Sequence, residues 1–424
     1  MKPQPTSIWI ADLELGESLT PTGVSRPRRP GDDAARVLVR LHRQVLGFVS
    51  LGLTTRELEP AEMMGAIEAQ LGPALARHLE RDAISPSELQ DPTQVQSCAD
   101  RPPPGPGELI SVVVCTRDRP EILRTCLERL QKLHFASFEV VVVDNAPRTS
   151  ETRECFSGLV GDDARFRYVV EPDAGLSRAR NRGLQEAAGN RVAFTDDDVQ
   201  VDPWWLDAIA AGFARDPRAG CVTGLVPAAE LEHPTQHYFD RRYSWSRAME
   251  PHVYDLTNGR AQSALYPYSA GVFGTGANFA VDRDLLVGLG GFDVALGAGS
   301  LARGGEDLDV FVRVLLADRT LVYEPSAVVW HVHRAGDAAL RRQLFSYGVG
   351  LTAFLTKYAT QRHTRRDILR RVPEGARRIP QLWSPAEIAG AAPPALVASE
   401  VLGMLAGPQA YLRARRQRDL TPSA

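Results

Sequence analysis

The chain has 424 residues, 44% of them hydrophobic and 24% charged, with a formal net charge of -3. That length exceeds one ordinary core, so a soluble globular protein of two or three domains is expected. Near balance between 49 basic and 52 acidic residues, with no basic stripe carrying interleaved aromatics, excludes nucleic acid as an expected partner.

Five cysteines, Cys98, Cys115, Cys126, Cys155 and Cys221, are scattered, odd in number and free of any CxxC pair. This usage predicts reduced thiols serving as small core residues rather than a disulfide set or a zinc site. The start, Met1-Lys2-Pro3-Gln4-Pro5, lacks a signal-peptide apolar core, and no stretch reaches the roughly 18 to 20 apolar residues of a spanning helix. A cytoplasmic protein is the expectation.

Residues 1–100 read as a small α+β domain. Val37, Val39 and Leu41 alternate with polar or small neighbours, and 46–51 form a second apolar run, which together predict a β-hairpin. Pro60 opens a helix with Met64, Ile67, Leu71, Leu75 and Leu79 at helical spacing. The run Arg101-Pro102-Pro103-Pro104-Gly105-Pro106-Gly107 then predicts a stiff linker over 101–108.

Residues 109–340 alternate strands and helices. The apolar run 110–115 predicts a strand buried on both faces of a parallel sheet. Pro120 opens a helix carrying Leu123, Leu127 and Leu130, and strands follow at 140–143 and 166–170. A helix over 176–188, closed by Gly189 as its C-terminal cap, leads to a strand at 192–195. Strand, helix, strand, helix at this spacing means βαβ units and a nucleotide-sized crevice at the strand C-termini. Further strands are expected at 220–226, 273–281 and 327–330, and a helix at 307–316. Residues 341–424 read as a helical extension, one helix holding Leu344, Tyr347, Leu351 and Leu355 and another running over 396–412.

The polar groups fall at the ends of these strands. Asp196-Asp197-Asp198 follows the apolar segment Val192-Ala193-Phe194-Thr195. Adjacent carboxylates repel one another, and hard oxygen ligands suit Mg2+ or Mn2+; the competing reading is a solvated turn capping a helix that starts at Asp202-Pro203. Thr116-Arg117-Asp118-Arg119 and Asp144-Asn145 end two earlier strands. Arg178 and Arg182 share a helix face near a helix start, where an anion is favoured; an ordinary salt-bridged helix is the alternative. Gly304-Gly305-Glu306-Asp307 precedes a helix, so its carboxylates serve either as caps or as a general base near a hydroxyl. Alternation places His331 and His333 on one side of their strand, where a neutral imidazole suits a metal ligand set, while His333 reads rather as a packed or exposed bystander.

In this order, Ser111-Val-Val-Val-Cys-Thr-Arg-Asp-Arg-Pro120, Val141-Val-Val-Asp144-Asn145, Ala179-Arg-Asn-Arg-Gly183, Asp196-Asp-Asp198, Gly274-Thr-Gly-Ala-Asn278, Gly290-Gly-Phe-Asp293, Gly305-Glu-Asp307 and Trp330-His331 resemble family 2 of the inverting glycosyltransferases over roughly residues 109 to 335. The resemblance implies a GT-A fold: an α/β, Rossmann-like, mostly parallel sheet flanked by helices. It further implies a nucleotide-diphosphate sugar donor and Mn2+ or Mg2+. By the same resemblance Thr116, Asp118 and Asp144 hold the nucleoside, with Asp144 at the base edge. Arg178 and Arg182 contact the diphosphate or the end of the sugar site. Asp196 and Asp197 meet the nucleotide sugar, and Asp196, Asp198 and His331 meet the metal. Asp307 is the implied catalytic base, with Glu306 beside it on the acceptor side.

The implied reaction is a single inverting displacement onto a glycan, lipid-linked or small-molecule acceptor hydroxyl. A nucleotidyltransferase is disfavoured because Thr116-Arg117-Asp118-Arg119-Pro120 contains no glycine to cradle phosphates. A non-catalytic nucleotide-sugar binding or scaffold protein is the alternative from another class. Finally, Leu396, Val397, Val401, Leu402, Leu405, Tyr411 and Leu412, followed by Arg413, Arg415, Arg416 and Arg418, fit either a helix packed on the catalytic domain or peripheral contact with the inner membrane surface.

Overall fold

All seven residues of β5 (Ile110–Thr116) are buried, because an unbroken apolar run is accommodated where both faces of a strand are covered. The computed structural model describes residues 7–54, 58–85, 108–243, 248–263, 265–269, 271–378 and 393–420. The expected linker at 101–107 and the residues Cys98 and Trp245 lie outside them.

Around β5 stand β6 (Phe138–Asn145), β7 (Phe166–Glu171), β8 (Arg191–Asp196), β9 (Val199–Val201), β10 (Ala219–Leu225), β11 (His252–Tyr254), β12 (Asn278–Asp282) and β13 (Thr320–His331). Apart from β9, which pairs with β13, their order is β11-β13-β10-β12-β8-β5-β6-β7. The neighbours of β5 are both parallel to it, and the register sets Thr116 beside Asp144 and Cys115 beside Asp196. Three strands therefore deliver the polar side chains of their C-terminal ends to one edge, as doubly wound sheets do. The antiparallel β12 returns beside β8, with Asn278 opposite Thr195, so the loop before β12 ends at that same edge.

Helices cover both faces: α2 (Pro120–Leu130), α3 (Glu151–Val160) and α5 (Trp205–Ala214) pack into one cluster with β5 and β6, while α4 (Leu176–Glu186), α7 (Arg283–Gly288) and α8 (Glu306–Leu316) pack into the other. Several boundaries differ from the sequence reading, among them the strand expected at 327–330, which runs from Thr320 to His331. The helix α4 stops at Glu186, since Ala187 turns extended at φ -64 and ψ 126. Gly189 is not its cap; a Cβ there would lie 2.5 Å from the Leu109 carbonyl oxygen, so the close approach to β5 demands glycine. The strand expected from 273 begins at Asn278, because Gly274 takes φ 130 and packs against Thr223.

The expected hairpin is present as β3 (Ala34–Leu41) and β4 (Gln44–Gly52), with His42 and Arg43 at its turn. It belongs to a four-stranded sheet with β1 (Ile8–Glu14) and β2 (Thr22–Gly23) in the order β2-β1-β3-β4. On one face α1 (Pro60–Asp82) inserts Met63, Ile67, Leu75 and Leu79 against Trp9, Leu13, Val37 and Val39. On the other, Ile10, Leu38 and Val45 pack on Leu225, Val328 and Trp330 of the larger sheet. Arg40 is buried at this junction and bridges Asp12 at 2.9 Å and Asp202 at 2.7 Å. Asp202 also accepts the Trp204 N–H at 2.9 Å, so the expected turn before α5 doubles as an ion-pair anchor.

Three helices follow β13: α6 (Pro234–Tyr243) lies earlier in the chain beside α9 (Asp337–Thr360), which precedes α10 (Arg365–Arg378) and α11 (Pro394–Leu420). The axes of α9 and α11 approach so closely that a Cβ on Gly348 would meet the Glu400 carbonyl oxygen at 2.2 Å. No helix among the described residues is long and apolar enough to cross a membrane.

Candidate active site

A cleft of about 700 Å3 opens over the C-terminal ends of β5, β6 and β8, large enough for a nucleotide-sized ligand. Its floor carries the aspartate triplet, its far side the start of α8, and its roof Tyr347, Gly350 and Leu351 of α9 with Glu400 and Met404 of α11.

The three aspartates have different surroundings. Asp197 is buried, accepts the Thr116 hydroxyl at 2.7 Å and pairs with Arg119. Burial pushes its carboxyl up to about 7. Asp196 faces the cleft and accepts from Arg180 Nη2 at 3.2 Å; desolvation raises its carboxyl as well. For Asp198 burial acts in the same upward sense, but His331 and Arg119 outweigh it and hold the carboxyl below the ordinary range.

His331 reaches Asp198 through the sheet. The short β9, which directly follows the triplet, runs antiparallel to β13 with His331 opposite Val199. Its Nε2 then stands 3.6 Å from Asp198 Oδ1, and its Nδ1 stands 3.2 Å from His333 Nδ1. Desolvation pushes His333 well below the usual imidazole value, so neutral His333 orients His331 from the Nδ1 side and turns Nε2 toward Asp198. Two ligands of one first-row or alkaline-earth dication, each bound at about 2.1 Å, lie about 3 to 3.5 Å apart. At 3.6 Å the Asp198–His331 separation lies just above that range, so a small closing movement would bring both onto one ion.

Asp307 occupies the first turn of α8. Its Oδ2 accepts the Gly276 N–H at 2.7 Å and its Oδ1 the Leu308 N–H at 2.8 Å. Gly305 precedes it at φ 86; a Cβ would come within 2.8 Å of the Gly350 carbonyl oxygen. Two glycines stand at 304–305 because α9 crosses directly over the start of α8.

The structure does not bring every expected residue to the cleft. Arg178 pairs with Asp173 at 3.4 Å and Arg182 with Glu186 at 2.7 Å, and neither lines the cleft. The residue between them does. Arg180 is buried and donates to Glu306 at 3.0 Å, to Asp196 and to the Gly276 carbonyl at 2.9 Å. Ala179 and Arg180 lie three and four positions after Leu176 on the inward face of α4, whereas Arg178 and Arg182 lie on its outer side. Glu306 is correspondingly turned inward, onto Arg180 rather than toward an acceptor, and burial raises its carboxyl to about 7. Asp118, at φ 51, accepts the backbone N–H and Nε of Arg148 at 3.0 and 2.7 Å, and lies outside the lining. Asp144 is fully buried beneath the Tyr168 hydroxyl, while its Oδ1 has no hydrogen-bond partner; its neighbour Asn145 lines the cleft instead.

Sequence reasoning missed Arg119 and Arg180 as counter-charges, and Arg117, Arg303 and Arg334 as further cations of the lining. Arg303 and Arg334 each sit beside a motif that was singled out, Gly304-Gly305 and His331-Val332-His333, and that adjacency was the available signal.

Residues 111–286 match the glycosyl transferase family 2 profile. The chain is 31% identical over 248 residues to the succinoglycan biosynthesis protein ExoM of Rhizobium meliloti, covering 56% of this chain and 72% of that protein. It is 29% identical over 236 residues to the pre-mycofactocin glycosyltransferase of Mycobacterium tuberculosis, covering 55% of this chain and 45% of that one. The chain thus spans about half the length of that relative. Among solved structures it resembles a mannosyltransferase from Pyrobaculum calidifontis in complex with GDP-Man and Mn2+, at a TM-score of 0.46 and 18% identity over 84% of this chain and 97% of the other.

The sheet order, with aspartates ending β8 and an acid pair opening α8, is that of a GT-A fold. The chain belongs to glycosyl transferase family 2.

Proposed function

We propose that this chain transfers a sugar from a nucleotide-diphosphate sugar to an acceptor hydroxyl with inversion at the anomeric carbon, in a reaction that needs a divalent cation. The observation that carries the reading is Arg180, which ties the aspartate triplet to the Glu306–Asp307 helix start within one cleft. A metal side and a base side are thereby held in fixed relation.

In this reading Asp198 and His331, with Asp196 beside them, hold Mn2+ or Mg2+. When bound, the ion supplies charge neutralisation to the departing diphosphate. Arg117, Arg303 and Arg334 add cationic charge along the cleft, in place of Arg178 and Arg182. Thr116 and Arg119 keep Asp197 pointed into the floor, so its role is to support the metal side from beneath. Asp144 stays sealed beneath Tyr168 and supports the strand end from below, while Asn145, which binds the Gly175 N–H at 2.8 Å and the Asp173 carbonyl at 2.7 Å, shapes the cleft wall where the nucleoside would lie. Asp307 takes the proton of the acceptor hydroxyl; the Gly276 and Leu308 N–H groups hold its carboxylate at the cleft. Glu306 holds Arg180 in place. The α9 and α11 helices, which the sequence left as a separate extension, roof the acceptor side.

The acceptor classes compatible with this geometry are a glycan, a lipid-linked sugar or a small metabolite. Leu402, Leu405 and Leu412 are exposed on α11, and Arg413 and Arg416 continue that face. Apolar residues followed by cations suit peripheral contact with an anionic bilayer surface, which favours a lipid-linked acceptor.

A thermal-shift screen of nucleotide sugars with and without Mn2+ tests the reading, because a ligand that binds the folded state raises apparent stability by mass action. One donor class is expected to stabilise the protein in a Mn2+-dependent manner. Stabilisation by no nucleotide sugar under either condition would sink it. Flotation with anionic vesicles at low salt tests the surface contact, and full recovery in the unbound fraction would remove it.

A further inference from the structure

The described residues contain one group of three metal-ligating side chains whose ligand atoms converge, and it lies outside the cleft: His42, His78 and Asp82. His42 Nδ1 is 2.7 Å from Asp82 Oδ2, His78 Nε2 is 3.1 Å from the same oxygen, and the two nitrogens are 3.2 Å apart. All three side chains are buried.

The backbone brings them together by two independent routes. His78 and Asp82 are four apart near the end of α1, which puts them on one helix face. His42 sits at the β3–β4 turn at φ 52, followed by Arg43 at φ 66. Such left-handed turn positions favour Asn and Gly. Arg43 has a visible reason to be there, its guanidinium lying 3.1 Å from the centre of the Trp204 ring. His42 is turned the other way, onto α1.

Three ligands held on one zinc ion at about 2.0 to 2.2 Å stand about 3.3 Å apart. The observed triangle reaches that size with an outward relaxation of a few tenths of an ångström. Two imidazoles and one carboxylate form a donor set suited to a zinc-type dication. A cavity of about 30 Å3 opens beside His78, bordered by Gln44 and Glu250, which is room for one water next to the triangle.

We propose that His42, His78 and Asp82 form a structural binding site for a zinc-type divalent cation, stapling the end of α1 to the β3–β4 turn. The site is separate from the sugar-transfer cleft and holds whether or not that activity does. A cation there would fix the edge of the smaller sheet beside Pro325 and Glu250, the border it shares with the larger one.

The test uses the full chain with Zn2+ alone. Crystals soaked in Zn2+ and measured at the zinc edge should show an anomalous peak within bonding distance of His42 Nδ1, His78 Nε2 and Asp82 Oδ2. In solution, Co2+ should give the visible bands of a four-coordinate site in the wild type, and these should be lost in His78→Gln and Asp82→Asn. Zn2+ should also raise the Tm of the wild type more than that of either variant, the difference removing any contribution from the cleft. No peak at the triangle under saturating Zn2+ would overturn the proposal and leave a hydrogen-bonded cluster; so would identical Co2+ spectra in wild type and folded variants. If a variant does not fold, the wild-type anomalous map decides alone.

Discussion

Arg180 Nη1 donates to Glu306 Oε1 at 3.0 Å, with both side chains almost wholly buried. A charge pair of this kind is costly to break from one side, because the partner is left desolvated and uncompensated. Arg180→Ala is therefore expected to destabilise the fold by about 3 to 5 kcal/mol and to disorder the floor at Asp196. Glu306→Gln retains an acceptor for the guanidinium and should cost clearly less. Urea unfolding of both variants checks this; equal costs, or a loss under about 1 kcal/mol for Arg180→Ala, would contradict the arrangement.

Asp307 stands differently, fixed by two backbone N–H groups and aimed into the cleft. Asp307→Asn keeps an oxygen for Gly276 and removes only the proton acceptor. Turnover should fall by about 10² to 10⁴-fold, the usual worth of a general base, while donor affinity measured by calorimetry stays within a few-fold. A variant that loses donor binding in parallel with turnover would assign Asp307 to the donor instead.

On the metal side, His331→Ala and Asp198→Asn should each raise the Mn2+ concentration for half-maximal activity at least tenfold, the order seen when metal-site residues are altered. His333→Leu removes only the partner of His331 Nδ1 and should give a smaller shift. Titrations of activity against Mn2+ distinguish the three; unchanged Mn2+ dependence in His331→Ala would remove the imidazole from the site.

These residues were not equally legible. The runs that become β5, β6 and β8 announce themselves by being apolar without alternation, and the polar residues ending them follow from that alone. Asp196 to Asp198 stand at such a strand end, whereas Asp307 is legible only as a carboxylate at a helix start, its role as base being what the family resemblance implies. Arg178 and Arg182 were chosen for their shared face, but which face of α4 points inward is decided by packing against β5 and β6, and that face carries Ala179, Arg180 and Gly183. The Asp198–His331 encounter depends on a three-residue strand pairing with a partner about 130 residues away, for which local periodicity holds no signal. The same holds for α9 crossing α8: the glycines at 304, 305 and 350 are legible as glycines, and their mutual contact is not.

That crossing makes Gly305 sensitive. With φ at 86 and the Gly350 carbonyl oxygen 2.8 Å from any added Cβ, Gly305→Ala meets both a disfavoured backbone region and a steric conflict. Positive φ costs a non-glycine residue roughly 1 to 2 kcal/mol, and overpacking adds about 1 to 3. The variant should lose a few kcal/mol in thermal or urea unfolding, and its turnover should fall because Asp307 moves with the helix start. Gly288, also glycine but with open space around its Cβ position, provides the control; Gly288→Ala should be near neutral.

Asp32 supplies a pH signature remote from the cleft. Burial by itself raises its carboxyl, but Arg26, the Arg29 N–H at 2.7 Å and the Ser7 hydroxyl at 2.8 Å outweigh that and hold it at about 2. Because this folded-state value lies below the unfolded one of 3.8, ionised Asp32 contributes stability that is fully present above about pH 4 and is lost as the pH falls toward 2. The displacement corresponds to roughly 2 to 2.5 kcal/mol. Arg26 also pairs with Glu232 beyond the smaller sheet, so the loss would loosen the docking of the two sheets. Asp32→Asn should therefore be less stable than the wild type by about that amount at pH 7, and the gap should narrow steadily in unfolding curves taken from pH 4 down to pH 2. A gap that stays constant through this window would mean that Asp32 acts through packing and hydrogen bonds rather than through its charge.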